Sequence, residues 1–284
     1  MAVIDLTEDN LEQYVDFIGQ EEIENIGREY YRGIVLTDDD GKPLSAGIWE
    51  LMHLDNDEKD TEARLTCMLA ENDDEAGRLL EACSLRLVSE EVKRSFFELD
   101  RGKPNLSRKA YEQAEYTISE EESGEIVVTL KELAEQAFAK KSKTPPYIKE
   151  LGSLMVRPFR RGVMDCVFHS RRELMEDLGT IPMSWFEQQI SSYVETDGRV
   201  SGLLLIHKTP SGKLKLEVFT ATGADSKKDL LYMMIFSLKQ AERYYDGDTE
   251  IVIRRRDEDV KKLTDYLLPE AKGRIILRGV REEA

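Results

Sequence analysis

The chain has 284 residues, 40% of them hydrophobic and 34% charged, and its 57 acidic against 40 basic residues leave a formal net charge of -17. That composition is globular rather than disordered, and the length suits about two domains. The negative charge repels nucleic-acid phosphates and anionic lipid at long range, which argues against nucleic-acid and membrane partners.

A strand over residues 3–6 is followed by a helix opened by Thr7, Asp9 or Asn10, with Leu11, Tyr14, Val15 and Ile18 at helical spacing. A second helix carries Ile23, Ile26 and Tyr30. Residues 33–36 and 44–51 form an antiparallel pair around Asp40-Gly41, whose glycine supplies the positive backbone angle of the turn. Past a polar loop at 53–60 come a strand at 61–69, a short acidic loop, a helix carrying Leu79, Leu80, Cys83, Leu87 and Val88, and a strand at 93–99. Pro104, Asn105 and Ser107 signal a short helix through Tyr111, and a closing hairpin turns around residues 120–124 into a strand at 126–130. Lysines, serine and tandem proline at 139–146 read as a linker.

The plan then repeats. Helices at 171–178 and 184–190, a hairpin at Asp197-Gly198 and a Gly-containing turn at 209–213 lead into a strand at 214–220. A helix carrying Leu230, Leu231, Met234, Ile235 and Leu238 follows, then a strand at 249–253 and a helix at 257–267. Strand, loop, helix, strand recurring over this length marks a duplicated unit. One crossover implies a parallel pair among antiparallel strands, so each copy predicts an α/β domain with one mixed sheet flanked by helices. The domains are set at 1–138 and 149–284, with 139–148 as linker.

Few residues offer independent chemistry. Cys67, Cys83 and Cys166 have no Cys-x-x-Cys spacing, which indicates neither a disulfide framework nor a zinc site and suits a reducing cytoplasm. Cys67 and Cys83 fall in apolar patterns and read as small core hydrophobes. His53, His169 and His207 stand alone, so no metal is expected. Arg157, Arg160 and Arg161, and the run 254–256, read as a solvated face or as sites for a small anion. Met233, Met234 and Phe236 form an apolar helix face suited to core packing or to a homodimer interface. The first residues lack the basic region of a secretory signal, and the longest apolar runs fall short of the roughly 18 residues of a membrane span, so a soluble, cytoplasmic protein is expected.

The segment Asn105-Leu-Ser-Arg-Lys-Ala-Tyr111-Glu112, followed by Tyr116, together with the element order of both copies, resembles the GNAT superfamily of acyl-CoA-dependent N-acyltransferases. The resemblance covers nearly the whole chain as a tandem pair. It implies acetyl-CoA or a similar acyl-CoA as thioester substrate and a small or peptide amine as acceptor. It also implies that Tyr111 protonates the departing thiolate, that Asn105 lies beside the coenzyme A arm, and that backbone amides at Leu69 and Ala70 hold the pantetheine. A tyrosine hydroxyl stays protonated near neutral pH and can donate to such a thiolate. Read without the family, Tyr111 is an amphipathic core residue and Asn105 a helix cap.

The pyrophosphate loop of that family falls on Glu71-Asn-Asp-Asp-Glu-Ala76, where Ala76, or Gly77 after a one-residue shift, keeps the small position and acids replace the cation and glycine. Asp73, Asp74 and Glu75 suit a helix start but repel a phosphate there. The second copy has Thr222-Gly-Ala-Asp-Ser-Lys227, with Lys227 and Lys228 to attract phosphate, and Leu263 where the first has Tyr111. Glu50 and Glu62, at neighbouring strand ends, could relay a proton through water. The expected function is an N-acetyltransferase with its chemistry in the first domain, steered by acidic surroundings toward a cationic amine; the alternative is a non-catalytic tandem binding or regulatory module.

Overall fold

The computed structural model describes residues 2–53, 61–100, 106–140, 144–169, 178–255 and 258–283. Its elements run β1 (Ala2–Asp5), α1 (Val15–Ile18), α2 (Gln20–Ile23), β2 (Tyr31–Thr37), β3 (Pro43–His53), β4 (Thr61–Ala70), α3 (Asp73–Ser89), β5 (Val92–Asp100), α4 (Arg108–Gln113) and β6 (Thr117–Glu122). Then follow β7 (Glu125–Thr129), α5 (Leu130–Glu135), β8 (Ile148–Glu150), α6 (Val156–His169), β9 (Ser192–Thr196), β10 (Arg199–Lys208), β11 (Leu214–Ala221), α7 (Ser226–Tyr244), β12 (Glu250–Arg254), α8 (Glu258–Leu267) and β13 (Ile275–Glu282). They gather into two compact units, Met1–Ser123 with Arg274–Ala284, and Gly124–Gly273.

The first unit is a seven-stranded mixed sheet in the order β1-β2-β3-β4-β5-β13-β6, parallel only between β4 and β5. Helix α3 starts at Asn72, whose side chain accepts from the Glu75 amide, and buries Ala76, Leu79, Leu80, Cys83 and Leu87 on one stripe. That stripe packs with Trp49, Leu65, Met68 and Phe97. Its three leucines contribute roughly 5–9 kcal/mol of burial before chain entropy is counted. The opposite face is covered by Tyr14, Ile18, Ile23 and Ile26. The second unit is a six-stranded sheet, β7-β12-β11-β10-β9-β8, parallel only between β11 and β12. Met233, Met234, Ile235 and Leu238 of α7 cover one face, and Phe159 and Val163 of α6 the other. Met233 and Met234 are thus core residues, which removes the reason for reading that face as a subunit interface.

The hairpin expected around residues 120–124 does not form. Strand β6 stays in the first sheet while β7 pairs antiparallel with β12 in the second, Ile251 opposite Val128. The last strand of the chain, β13, takes the vacated place, inserted between β5 and β6. Each sheet is therefore closed by a strand from the other half of the sequence, and the compact units meet at 123/124 and 273/274, where the expected linker 139–148 is internal to the second. Gly279 of β13 lies under the Phe97 ring, where an added Cβ would stand 2.1 Å from a ring carbon. Glu283 then plugs into the first unit. Its carboxylate, 1% exposed, accepts from Ser95 at 2.5 Å, from Ser84 at 3.0 Å, and from both forks of Arg281.

Two helical expectations also differ. Residues 184–190 give only a 3-10 turn at Met183–Trp185, because Phe186 turns to extended backbone and the Glu187 amide bonds the Ile206 carbonyl instead of continuing a helix. Conversely, α6 forms through Pro158 and Gly162. Proline is tolerated in a first turn, and glycine lets the helix close on Val200, whose side chain would stand 2.7 Å from a Cβ. Apart from Leu178, the helix expected at 171–178 lies outside the described residues.

Removing one partner of a buried ion pair strands the other, so Glu283→Ala should cost about 3 kcal/mol in urea unfolding. Fragments 1–138 and 149–284, each lacking its closing strand, should be unfolded alone by circular dichroism and recover structure when mixed. Independent folding of either fragment would contradict the strand exchange.

Candidate functional site

In both units the parallel pair comes apart into a fork. Strand β4 pairs with β5 from Thr61 opposite Val92 to Leu65 opposite Phe97, yet continues to Ala70, held only by β3 on its other side. A register shift opposite Ile48 and Trp49 leaves Thr66 as a bulge, its hydroxyl donating to the Ile48 carbonyl at 3.2 Å. The second unit repeats this geometry. Strand β11 pairs with β12 only from Leu214 to Leu216, Glu217 is the bulged residue, and β11 runs on to Ala221.

Beside the first fork the side chains are packed into the core. Tyr111 packs beside the last paired residue of β5, its ring 3.9 Å from that of Phe97 and 5.5 Å from that of Tyr116. It is only 1% exposed, and burial above all, followed by Tyr116, Cys83 and Cys67 nearby, holds its hydroxyl well above the ordinary phenol range. Burial likewise pushes the Cys83 thiol up to about 12. At the mouth, the Glu71 amide donates to the Glu75 carboxylate at 3.2 Å and the Glu75 amide to Asn72 at 3.0 Å. Ser107 donates to Asp73 at 2.7 Å and Lys109 approaches the same carboxylate at 3.8 Å, so the starts of α3 and α4 are drawn together by acids. Leu69 and Ala70 lie on the free arm of the fork, Ala76 is buried, Gly77 is exposed in open space, and Asn105 lies outside the described residues. Glu50 is bound to Arg64 at 2.6 Å and Glu62 to Arg94, both as cross-strand ion pairs.

The second fork is open. A cleft of about 250 Å³ lies between the end of β11 (Phe219, Thr220, Ala221), the first turns of α7 (Ser226, Lys227, Leu230) and α8 (Val260, Lys262, Leu263, Tyr266). Asp225 at the start of α7 makes no side-chain cap, whereas Asn72, Ser107 and Thr129 cap α3, α4 and α5. The first-turn acid of α7, Asp229, is engaged by Tyr147, whose hydroxyl is pushed up to about 12 by burial and by that carboxylate. An uncapped helix start flanked by lysines is receptive to anions. At the vertex, Glu217, 4% exposed, meets Arg254 at 3.1 Å, and Arg254 also bonds Glu125 at 2.9 Å. That ion pair spans β11 and β12 just past their last backbone pairs.

Lys262 and Tyr266 escaped the sequence reading. Their spacing of four along α8, with Leu263 between, is the only signal that could have found them. His207 has a structural setting, stacked on Trp185 at 3.6 Å with Nδ1 2.9 Å from the Trp185 carbonyl. Among the described residues no cluster of three or more His, Cys, Asp or Glu is arranged for a metal, and no helix is long and apolar enough to cross a membrane.

No protein-family model matches the sequence, and no curated protein matches it either. Solved structures do match. A tandem GNAT protein from the clavulanic acid biosynthesis pathway superposes with a TM-score of 0.65 over 100% of this chain and 98% of its own, at 8% identity. L-PGS from Bacillus licheniformis gives 0.54 over 95% and 90% at 11% identity. A GCN5-related N-acetyltransferase from Kribbella flavida gives 0.50 over 99% and 71% at 10% identity. The fold is a tandem GNAT fold.

With its ring in the core, Tyr111 should behave as a packing residue. Tyr111→Ala should cost about 3–5 kcal/mol in denaturant unfolding, whereas Tyr111→Phe should stay within about 1 kcal/mol of the parent.

Proposed function

We propose, from this tandem GNAT fold, that the chain binds an acyl-CoA thioester in the fork of its second unit and transfers the acyl group to an amine. The observation that supports this most is the contrast between the two forks. At the mouth of one, Glu75 and Asp73 stand where phosphates would sit, while the other opens into a cleft with Lys227, Lys262 and the uncapped start of α7. In this reading the lysines and the Lys227 amide take the phosphates, and the pantetheine runs along the unpaired edge of β11 toward Glu217 and Arg254. The amine nitrogen, in its neutral form, attacks the thioester carbonyl, a C–N bond forms, the C–S bond breaks, and the proton that the nitrogen sheds goes to the thiolate. The net charge of -17 draws a cationic amine, small or on a peptide, toward the protein.

This reading moves the thioester site from the first half to the second, and leaves Tyr111 as a core side chain beside the first fork. A second reading, a binding module without catalysis, is supported by Leu263, which stands on α8 where Tyr111 stands on α4.

Calorimetric titration with acetyl-CoA should give saturable binding that weakens with salt, since exposed charge contributes. Replacing both Lys227 and Lys262 by alanine should weaken it by about tenfold or more, and Tyr111→Phe should leave it unchanged. Loss of binding in Tyr111→Phe with the lysine variant unaffected would return the site to the first unit. Binding without release of free thiol in an amine panel would select the non-catalytic module.

A further inference from the structure

We propose that Tyr266 is the platform on which the adenine ring of the thioester donor stacks, so that the second fork takes a nucleotide-bearing thioester in preference to a bare pantetheine thioester. This rests on the reading of that cleft as the acyl-CoA site.

The argument starts from α8. Val260, Thr264 and Leu267 face inward and are buried, and the Thr264 hydroxyl donates back to the Val260 carbonyl. Asp265 is tied to Arg255, itself 7% exposed, at 3.0 Å, which fixes the helix to the end of β12. The remaining stripe, Lys262, Leu263 and Tyr266, faces the cleft. The helix is thus held by its buried stripe and by that ion pair, while the Tyr266 side chain is left 81% exposed on the rim. Among the described residues nothing covers this large ring, which stands one turn from a lysine and beside an anion-receptive helix start. A planar base whose phosphates are gripped by Lys262 and Lys227 would cover it. Base–aromatic stacking needs only a π face on each partner and is tolerant of geometry, which suits a single exposed ring. Leu263, by contrast, lies partly buried toward the fork, where the apolar arm passes.

Three probes separate the parts: acetyl-CoA, adenosine 3′,5′-bisphosphate and S-acetylpantetheine, each titrated into the full-length protein and its variants. Tyr266→Ala should weaken acetyl-CoA and the bisphosphate by roughly tenfold, within the range of base stacking, and leave S-acetylpantetheine unchanged. Tyr266→Phe should bind all three as the parent does, because stacking needs the ring and not the hydroxyl. Equal acetyl-CoA affinity in Tyr266→Ala would overturn the platform, as would parallel loss of S-acetylpantetheine or a Phe variant as weak as Ala. If the parent itself binds none of the probes, the acyl-CoA reading of the cleft fails, and the platform with it. Tyr266 is exposed, so matching circular dichroism spectra should show that these variants fold.

Discussion

A parallel pair of strands that stops pairing after a few residues sets everything else in this protein. Once β4 and β11 pass their last partners, each keeps only its antiparallel neighbour, and the backbone groups on the open side face whatever enters the gap. A bulge at Thr66 and at Glu217 turns each strand at that point, which is how a bulge re-aims a strand beside a site. The gap is therefore a property of backbone geometry and is present twice. What occupies it is decided by side chains.

The two halves answer that question differently. In the first, an aromatic cluster of Phe97, Tyr111 and Tyr116 packs beside the fork and acids accept from the amides of the loop. In the second, Leu263 lines the cleft, the first-turn acid is taken up by Tyr147, and lysines stand at the mouth. Fold alone would have given both forks the same role; the chemistry separates them.

The repeat, the mixed sheets and the long helices were legible because they are written in local periodicity, as the buried stripe of α3 shows. The acidic first loop was legible too, since its acids are adjacent in sequence. Strand exchange was not, because β6 and β7 are separated only by Ser123 and Gly124 and look like a hairpin, while their true partners lie over a hundred residues away. Nor was α6, for which no helix was expected and whose Gly162 closes on Val200, a residue some forty positions on. The cleft escaped for the same reason as the exchange. Ser226, Lys227, Lys262 and Tyr266 sit on two helices with a strand between, and neither helix marks itself alone.

The exchange also bears on the first fork, because the strand next to it, β5, is one of the two that hold β13 in place. Phe97 serves both sides: it is the last residue paired to β4, it stacks on Tyr111, and its ring lies over Gly279 of the incoming strand. Residues that would have framed a ligand in the first unit thus anchor the end of the chain that leaves α8. Loosening the first fork exposes the edges that hold β13, and the stretch 268–274 joins that strand directly to the helix carrying Lys262 and Tyr266.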